Sequence, residues 1–336
     1  MVVKTTLLAI GSFLIAFLLA EFALTSFGVV PIKPEGRLEG LAPFDSLFGW
    51  MGKPNVNLPY YDHRVMTNSL GFRDGEWNQQ GKHRIFLLGD SQAWGWGVWD
   101  GQSFANLIEK KTGVEVLNMS QSGYSPDQEL LLYQKYGKQF EHDLVLLQLC
   151  GNDPWYCLIK DVLLYSRKPR FEFVIDSTKL KMSLGLPERL TALEKTHRWI
   201  VLHSKIFGLI WNYSHREFSL TYTEYDVSPN GLNSRCLLIL SRLREIVEKN
   251  NARLVICYNK GIGFWLPSFG QWDGFIKDCN LAKFDMISLE YDELYQPEYL
   301  WIDNKHFGVK GHEFISEKIV AGLEKRQYLD ADYSGR

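Results

Sequence analysis

From residue 84 onward, short apolar runs alternate with longer mixed stretches. The runs lie near 84–89, 114–118, 143–149, 252–258 and 283–289, and each is bounded by turn-forming residues. Arg84-Ile85-Phe86-Leu87-Leu88-Gly89 and Asn251-Ala252-Arg253-Leu254-Val255-Ile256-Cys257 are the clearest. Such unbroken runs, without alternating polar residues, are the pattern of strands buried on both faces. Helices are expected near 102–112, 126–140, 232–250 and 267–281, with a last one near 310–325. Strands alternating with helices predict a parallel sheet covered on both faces.

Three stretches break this rhythm. Residues 158–231 are too long for a short strand-to-helix connection. Within them, Lys168 to Asp176 followed by Lys179 to Met182 reads as a hairpin, and 187–217 as helical. The whole is expected to be an insertion capping the sheet's functional edge, as a specificity element or a structural flap. Residues 31–80 read as a connector and an accessory piece. Pro31 and Pro34 suggest an extended linker, and Tyr60 to Asn68 a strand in a hairpin over the sheet edge. The third stretch is N-terminal. Leu7 to Ala20 is apolar apart from Gly11 and Ser12, Glu21 interrupts, and Phe22 to Val30 resumes. About 20 apolar residues span a bilayer core, so residues 1–30 fit a membrane anchor with Glu21 near the outer interface. A signal peptide competes, but Leu18-Leu19-Ala20 is a poor cleavage site, and a buried soluble helix is a third reading. No Cys follows the run, which removes a lipid-anchored reading. Lys33 and Arg37 follow it, so charge bias leaves orientation open. The usual behaviour of N-terminal anchors places the main domain outside the cytoplasm; secretion after cleavage is the alternative.

Composition adds bounds. At 336 residues with 46% hydrophobic residues, one large domain plus accessories is expected. A net charge of −2 and the lack of a basic block give no argument for nucleic acid. Five cysteines show no CxxC or zinc spacing. Cys150 and Cys257 end buried strands as small hydrophobes, and nothing selects a pair among these and Cys157, Cys236 and Cys279. No phosphate-loop pattern occurs. His312 lies on the last helix, structural or exposed.

Candidate chemistry sits where the apolar runs end. The first runs into Gly89-Asp90-Ser91-Gln92. A serine just past the carboxyl end of such a strand stands where open α/β sheets place their sites, although Asp90 or Ser91 can also be a plain helix cap. Val116-Leu117-Asn118-Met119-Ser120-Gln121-Ser122-Gly123-Tyr124 is a short strand and a glycine turn. Leu144 to Asp153 is a strand ending in Gly151-Asn152-Asp153. Asp303-Asn304-Lys305-His306 stands just ahead of the last helix. Together, in this order, these blocks resemble the four-block signature of the SGNH hydrolases, also called the GDSL family, over about residues 82–325.

The resemblance implies a flavodoxin-like three-layer α/β/α fold with a central parallel sheet, preceded here by an N-terminal transmembrane helix. It implies Ser91 as nucleophile, His306 with Asp303 as the base and its orienting acid, and Ser91, Gly123 and Asn152 as oxyanion-hole donors. It implies no metal and no cofactor. The residue chemistry agrees with these roles. A serine hydroxyl needs a base within hydrogen-bond reach. A histidine supplies it while a carboxylate holds its other ring nitrogen. Preorganised donors facing the oxyanion are worth about 3–4 kcal/mol each. Asn68-Ser69-Leu70-Gly71-Phe72-Arg73-Asp74 also resembles a segment found before Gly-Asp-Ser in membrane-anchored or secreted members, with no role assigned. Trp94, Trp96, Trp99, Trp155 and Tyr156 crowd the blocks, as core packing or as a sugar or acyl platform.

The leading expectation is therefore a membrane-tethered serine esterase acting on an acyl ester. By analogy the acyl group is short, such as acetyl, and its carrier an envelope glycan. An O-acetyltransferase passing the acyl group to a polysaccharide hydroxyl is the alternative, and a non-catalytic assembly protein with the same fold is the second.

Overall fold

The computed structural model describes residues 2–29, 40–60, 63–79, 83–157, 159, 167–176, 179–218, 229–260, 269–301 and 306–329. The Pro31–Pro34 linker and Asp303 lie outside them. In chain order the first elements are α1 (Val2–Ser26), β1 (Phe44–Asp45), β2 (Gly49–Trp50), β3 (Asn57–Tyr60) and β4 (His63–Met66). Then come β5 (Ile85–Leu88), α2 (Ser91–Trp94), α3 (Phe104–Thr112), β6 (Val116–Asn118), α4 (Pro126–Tyr136), β7 (Leu144–Cys150) and α5 (Asp153–Tyr156). β8 (Arg170–Asp176), β9 (Lys179–Gly185), α6 (Ala192–His203), α7 (Lys205–Phe218) and α8 (Pro229–Lys249) follow. The chain ends with β10 (Arg253–Asn259), α9 (Phe269–Leu281), β11 (Asp285–Ser288) and α10 (Val309–Lys325).

Two compact units result. One is formed by residues 1–38, 163–165 and 189–225, the other by 39–162, 166–188 and 226–336.

The larger unit is built on a five-stranded sheet in the order β11-β10-β7-β5-β6, with every pair parallel. Numbered along the chain, that is the 2-1-3-4-5 order of doubly wound flavodoxin-like sheets. Leu87 pairs with Leu146 on one side and Asn118 on the other, and Val255 pairs with Leu146. Side chains alternate between faces, so both must be covered for an all-apolar strand. Ile85, Leu87, Leu144, Leu146, Val255 and Cys257 pack with Phe104 and Ile108 of α3 and Ile315, Ile319 and Leu323 of α10. Phe86 points the other way and meets Tyr133 of α4 edge-on, with centroids 5.8 Å apart. α8 packs beside α4, and α9 beside α8. The expected three-layer α/β/α arrangement is thus present.

Local differences have local causes. The helix expected over 126–140 stops at Tyr136, where Gly137 accepts the C-cap position. The accessory strand is β4. It pairs with β3 as a separate two-stranded sheet and does not extend the main one. The main sheet's edge is met by Asp74, whose Oδ2 accepts from the Asn118 N–H of edge strand β6 at 2.9 Å. The hairpin expected after Lys168 is β8–β9, antiparallel from Arg170↔Gly185 to Asp176↔Lys179.

In the smaller unit, Lys4–Ser26 of α1 has a mean hydropathy of 2.4 and none of it is buried. At 1.5 Å per residue, the 25 residues of α1 reach roughly 37 Å, long and apolar enough to cross a membrane as an anchor or a signal sequence would. α7 packs beside it: Phe17 and Phe207 have ring centroids 5.9 Å apart.

Candidate active site

β5, β6 and β7 are parallel, so their carboxyl ends share one edge of the sheet. The chain order reverses between β5 and β7, which opens a crevice at that edge. The turn after β5 begins at Gly89, where a Cβ would lie 2.6 Å from the Ala93 Cβ and 3.2 Å from the Gln148 Cβ. Only a residue without a side chain lets α2 start so close to the sheet. Asp90 is the N-cap of α2, its Oδ1 accepting from the Gln92 N–H at 2.8 Å. Capping therefore falls to Asp90, and Ser91 is left for another partner. Its Oγ lies 2.8 Å from His306 Nε2. As the first helical residue, Ser91 has an N–H with no intrahelical acceptor.

His306 is held from both sides in sequence. Its carbonyl accepts from the Trp301 N–H at 2.8 Å, and the next residue, Phe307, donates its N–H to Gln92 Oε1 at 3.2 Å. Gln92, the residue after Ser91, thus holds the chain beside His306. Gln92 has no motif signal beyond being a polar residue in an otherwise apolar, buried turn.

Gly123 follows β6 with φ at +79°, a conformation that disfavours any residue with a Cβ. Its turn is braced from several directions. The Gln121 N–H donates to Gly89 O at 3.2 Å, joining it to the turn that carries Ser91. Gln121 Oε1 accepts from the Gly52 N–H at 3.2 Å, and its Nε2 donates to Gly71 O at 3.3 Å. Trp50 Nε1 donates to Ser122 O at 3.0 Å, and the Tyr124 hydroxyl donates to Trp50 O. Asn152 follows β7 at the N-cap position of α5, yet its side chain makes no capping bond. The residue is buried, and Oδ1 has no partner among the described residues. Asp153 does the local work instead, accepting from the Cys150 N–H at 2.6 Å. Ser91 and His306 are thus in direct contact, Gly123 follows β6 and Asn152 follows β7, the strands on either side of β5 at the same edge, and Asp303 lies outside the described residues.

Several residues that shape this edge carry no readable signature. Arg73 is buried and donates to the carbonyls of Gly95 and Val98 (2.7 Å for Val98) in the loop after α2, with Asp100 at 2.8 Å as its ion-pair partner. The segment from Asn68 to Asp74 is therefore a brace. Lys168, at the root of the β8–β9 hairpin, is wholly buried with Asp127, its Nζ 2.7 Å from both carboxylate oxygens and from Ser125 Oγ. Burial pushes Asp127 up, and the Lys168 charge opposes that. Burial also raises Asp90 to about 6, opposed by the Gln92 N–H bond and by His306. Glu129 and Asp153 are carried well above the ordinary carboxylate range, by burial first and then by neighbouring carboxylates.

The aromatic residues divide. Trp96 is fully buried, its ring centroid 5.5 Å from that of His306, and Trp94 is buried beneath the Arg73 guanidinium at 4.7 Å. Trp99 is 51% exposed. His312 is structural: it is wholly buried, its Nδ1 accepts from the Phe104 N–H at 3.0 Å, and burial lowers it to about 3. Among the described residues no cluster of three His, Cys, Asp or Glu could hold a metal ion.

No family model matches the chain, and no curated protein matches it. Solved structures do. A psychrotrophic esterase from Pseudoalteromonas sp. aligns at 12% identity over 73% of this chain and 98% of its own, with a TM-score of 0.42. A GDSL-like lipase from Bacteroides thetaiotaomicron aligns at 11% identity over 74% and 93%, with a TM-score of 0.41. An α/β hydrolase enzyme from the metagenome of Lake Arreo, Spain, aligns at 13% identity over 73% and 96%, with a TM-score of 0.42. Likeness at this level carries no argument about chemistry.

Proposed function

We propose that the chain is a serine hydrolase of the SGNH type that cleaves an acyl ester, tethered by α1 with its catalytic unit outside the cytoplasm. The observation that carries this is the 2.8 Å contact between Ser91 Oγ and His306 Nε2. These residues are 215 positions apart, and the contact lies at the switch point of a parallel sheet. His306 takes the Ser91 proton as Oγ attacks the ester carbon, and returns it to the leaving alkoxide. Asp303 is assigned the other ring nitrogen. The oxyanion is received by the N–H groups of Ser91 and Gly123 and by the Asn152 amide. Water, activated by His306, then releases the acid from the acyl-enzyme. A short acyl group, such as acetyl, on an envelope glycan is the assigned substrate class, by location and analogy.

The test is a fluorophosphonate probe on the full-length chain in detergent. Labelling is expected in the native chain and lost in Ser91→Ala. Turnover of p-nitrophenyl acetate falls on the order of 10⁶-fold in Ser91→Ala or His306→Ala. Undiminished labelling in Ser91→Ala would remove the assignment. A sugar acceptor that accelerates loss of the acyl-enzyme would make the chain an acyltransferase.

A further inference from the structure

Glu21 is the only acidic residue in the apolar stretch from Leu7 to Val29. A carboxylate there is costly in lipid unless something on the protein satisfies it. Its oxygens are taken by the start of α7. The Lys205 N–H donates to Oε2 at 2.9 Å, the Ile206 N–H donates to Oε1 at 3.0 Å, and the Ser204 hydroxyl donates to Oε1 as well. The carboxylate thus occupies the positive end of a 14-residue helix and meets N–H groups that lack intrahelical acceptors. Glu21 is five residues before Ser26, or roughly 7–8 Å along the axis. Phe17, which packs on Phe207, is one turn further in. The start of α7 therefore lies alongside the apolar part of α1, not beyond its end.

Several large apolar side chains of α6 and α7 are exposed. Leu209, Ile210 and Tyr213 are exposed on α7, as are Leu193 and Trp199 on α6. At 100° per residue, Leu209, Tyr213 and Ile210 fall within one arc of about 100°. Trp199 stacks on His203 at the end of α6, with centroids 4.6 Å apart, one turn from the Glu21 contact. Tryptophan and tyrosine flanking an apolar face are typical of the membrane–water boundary.

We propose that α6 and α7 lie in the lipid interface beside α1, with Leu209, Ile210 and Tyr213 against lipid, and that Glu21 fixes them there. The occupant is a bilayer because the face continues that of α1, exposed along its length and apolar enough to span. The inference rests on the anchor reading of α1. It also favours retention of the segment, since cleavage after Ala20 would keep Glu21 but remove Phe17 from Phe207.

The test uses the full-length chain in vesicles of phosphatidylcholine and phosphatidylglycerol. Leu14→Cys, Ile210→Cys and Lys318→Cys are labelled one at a time with the environment-sensitive fluorophore NBD; the five native cysteines are buried. Quenching by nitroxide-bearing lipid is compared with quenching by aqueous iodide. The expected result is lipid quenching at positions 14 and 210 and iodide quenching at 318. Lipid quenching at 14 with iodide quenching at 210 overturns the inference and leaves the anchor standing. Loss of lipid quenching at 14 overturns both. Shielding of 210 from both quenchers means protein covers the face, a second copy included, and overturns the lipid assignment. Adding Glu21→Ala is expected to shift the label at 210 toward iodide while that at 14 stays in lipid. An unmoved label at 210 would remove Glu21's role.

Discussion

Replacing Arg73 by methionine tests whether the segment before Ser91 sets the geometry of the Ser91–His306 pair. The Arg73 side chain is only 4% exposed, and burial lowers its pKa while Asp100 opposes the shift. The guanidinium reaches Gly95 O, Val98 O at 2.7 Å, Arg64 O at 3.2 Å and Asp100 Oδ1 at 2.8 Å. Methionine keeps the unbranched apolar stem and removes every donor. Breaking a buried ion pair from one side costs about 3–5 kcal/mol. Asp100 is 25% exposed and also accepts from the Met66 N–H, so the low end, about 3 kcal/mol, is expected. The braced loop carries Trp96 against His306, and Gly97 so close to Trp301 that a Cβ would lie 2.6 Å from its ring. Slackening it moves the histidine relative to Ser91. A displacement near 1 Å costs about 100-fold in kcat, with KM little changed. Urea unfolding measures the first effect. Steady-state hydrolysis of p-nitrophenyl acetate, per site titrated with fluorophosphonate, measures the second. Arg73→Lys keeps the charge but not the fork, and should recover more stability than turnover. Wild-type turnover per titrated site in Arg73→Met would reduce Arg73 to a structural residue and refute the bracing argument.

Three other substitutions probe the rest of the site. Asn152→Ala should lower kcat about 100-fold and leave KM nearly unchanged, because its amide is assigned to the oxyanion alone; a pure KM effect in the same assay would contradict that. Asp303→Asn should lower kcat on the order of 10⁴-fold while Ser91 stays in place, and full activity there would assign the orienting role to another acid. Glu129→Gln tests the buried acid. Its folded-state pKa lies well above the unfolded value, so its contribution to stability is complete at acid pH and is lost as pH rises. Glutamine cannot ionise, so the variant should gain on the native chain by up to about 1.4 kcal/mol per pH unit above the unfolded pKa. Urea midpoints at about pH 6 and pH 8 read this out, and an offset independent of pH would show that Glu129 is already satisfied.

The parts of the fold readable in the chain are those whose environment imposes a pattern. β7 and β10 have neighbours on both sides and helices on both faces, so Leu144 to Cys150 and Leu254 to Cys257 tolerate no interior charge. The edge strands are less legible. β6 covers only Val116–Asn118 and β11 only Asp285–Ser288, shorter than the apolar runs around them, and each pairs along one side alone. The Ser91 turn is legible for the same reason as the strands: an apolar run that ends in Gly-Asp-Ser has few ways to continue. Arg73 and Gln92 are not, because what they do depends on carbonyls 21–25 positions away and on Phe307, 215 positions away. Such contacts leave no period in the sequence.

The same limit explains Lys168. Its neighbours Pro169, Arg170 and Glu172 mark it as part of a polar hairpin, and lysine is rarely buried unless paired. Its partner Asp127 lies 41 residues earlier, in the first turn of α4. The pair has a consequence beyond holding the hairpin root. Ser125 Oγ donates to Asp127, and Lys168 Nζ donates to Ser125 Oγ and to Tyr156 O at 2.6 Å. One ammonium therefore ties the turn that ends in Gly123-Tyr124-Ser125 to the helix that begins after Asn152. Two assigned oxyanion donors on different strands are linked through a residue of the insertion. The insertion is thereby part of what sets the distance between those donors, and changes at its root should be felt in kcat before they are felt in substrate affinity.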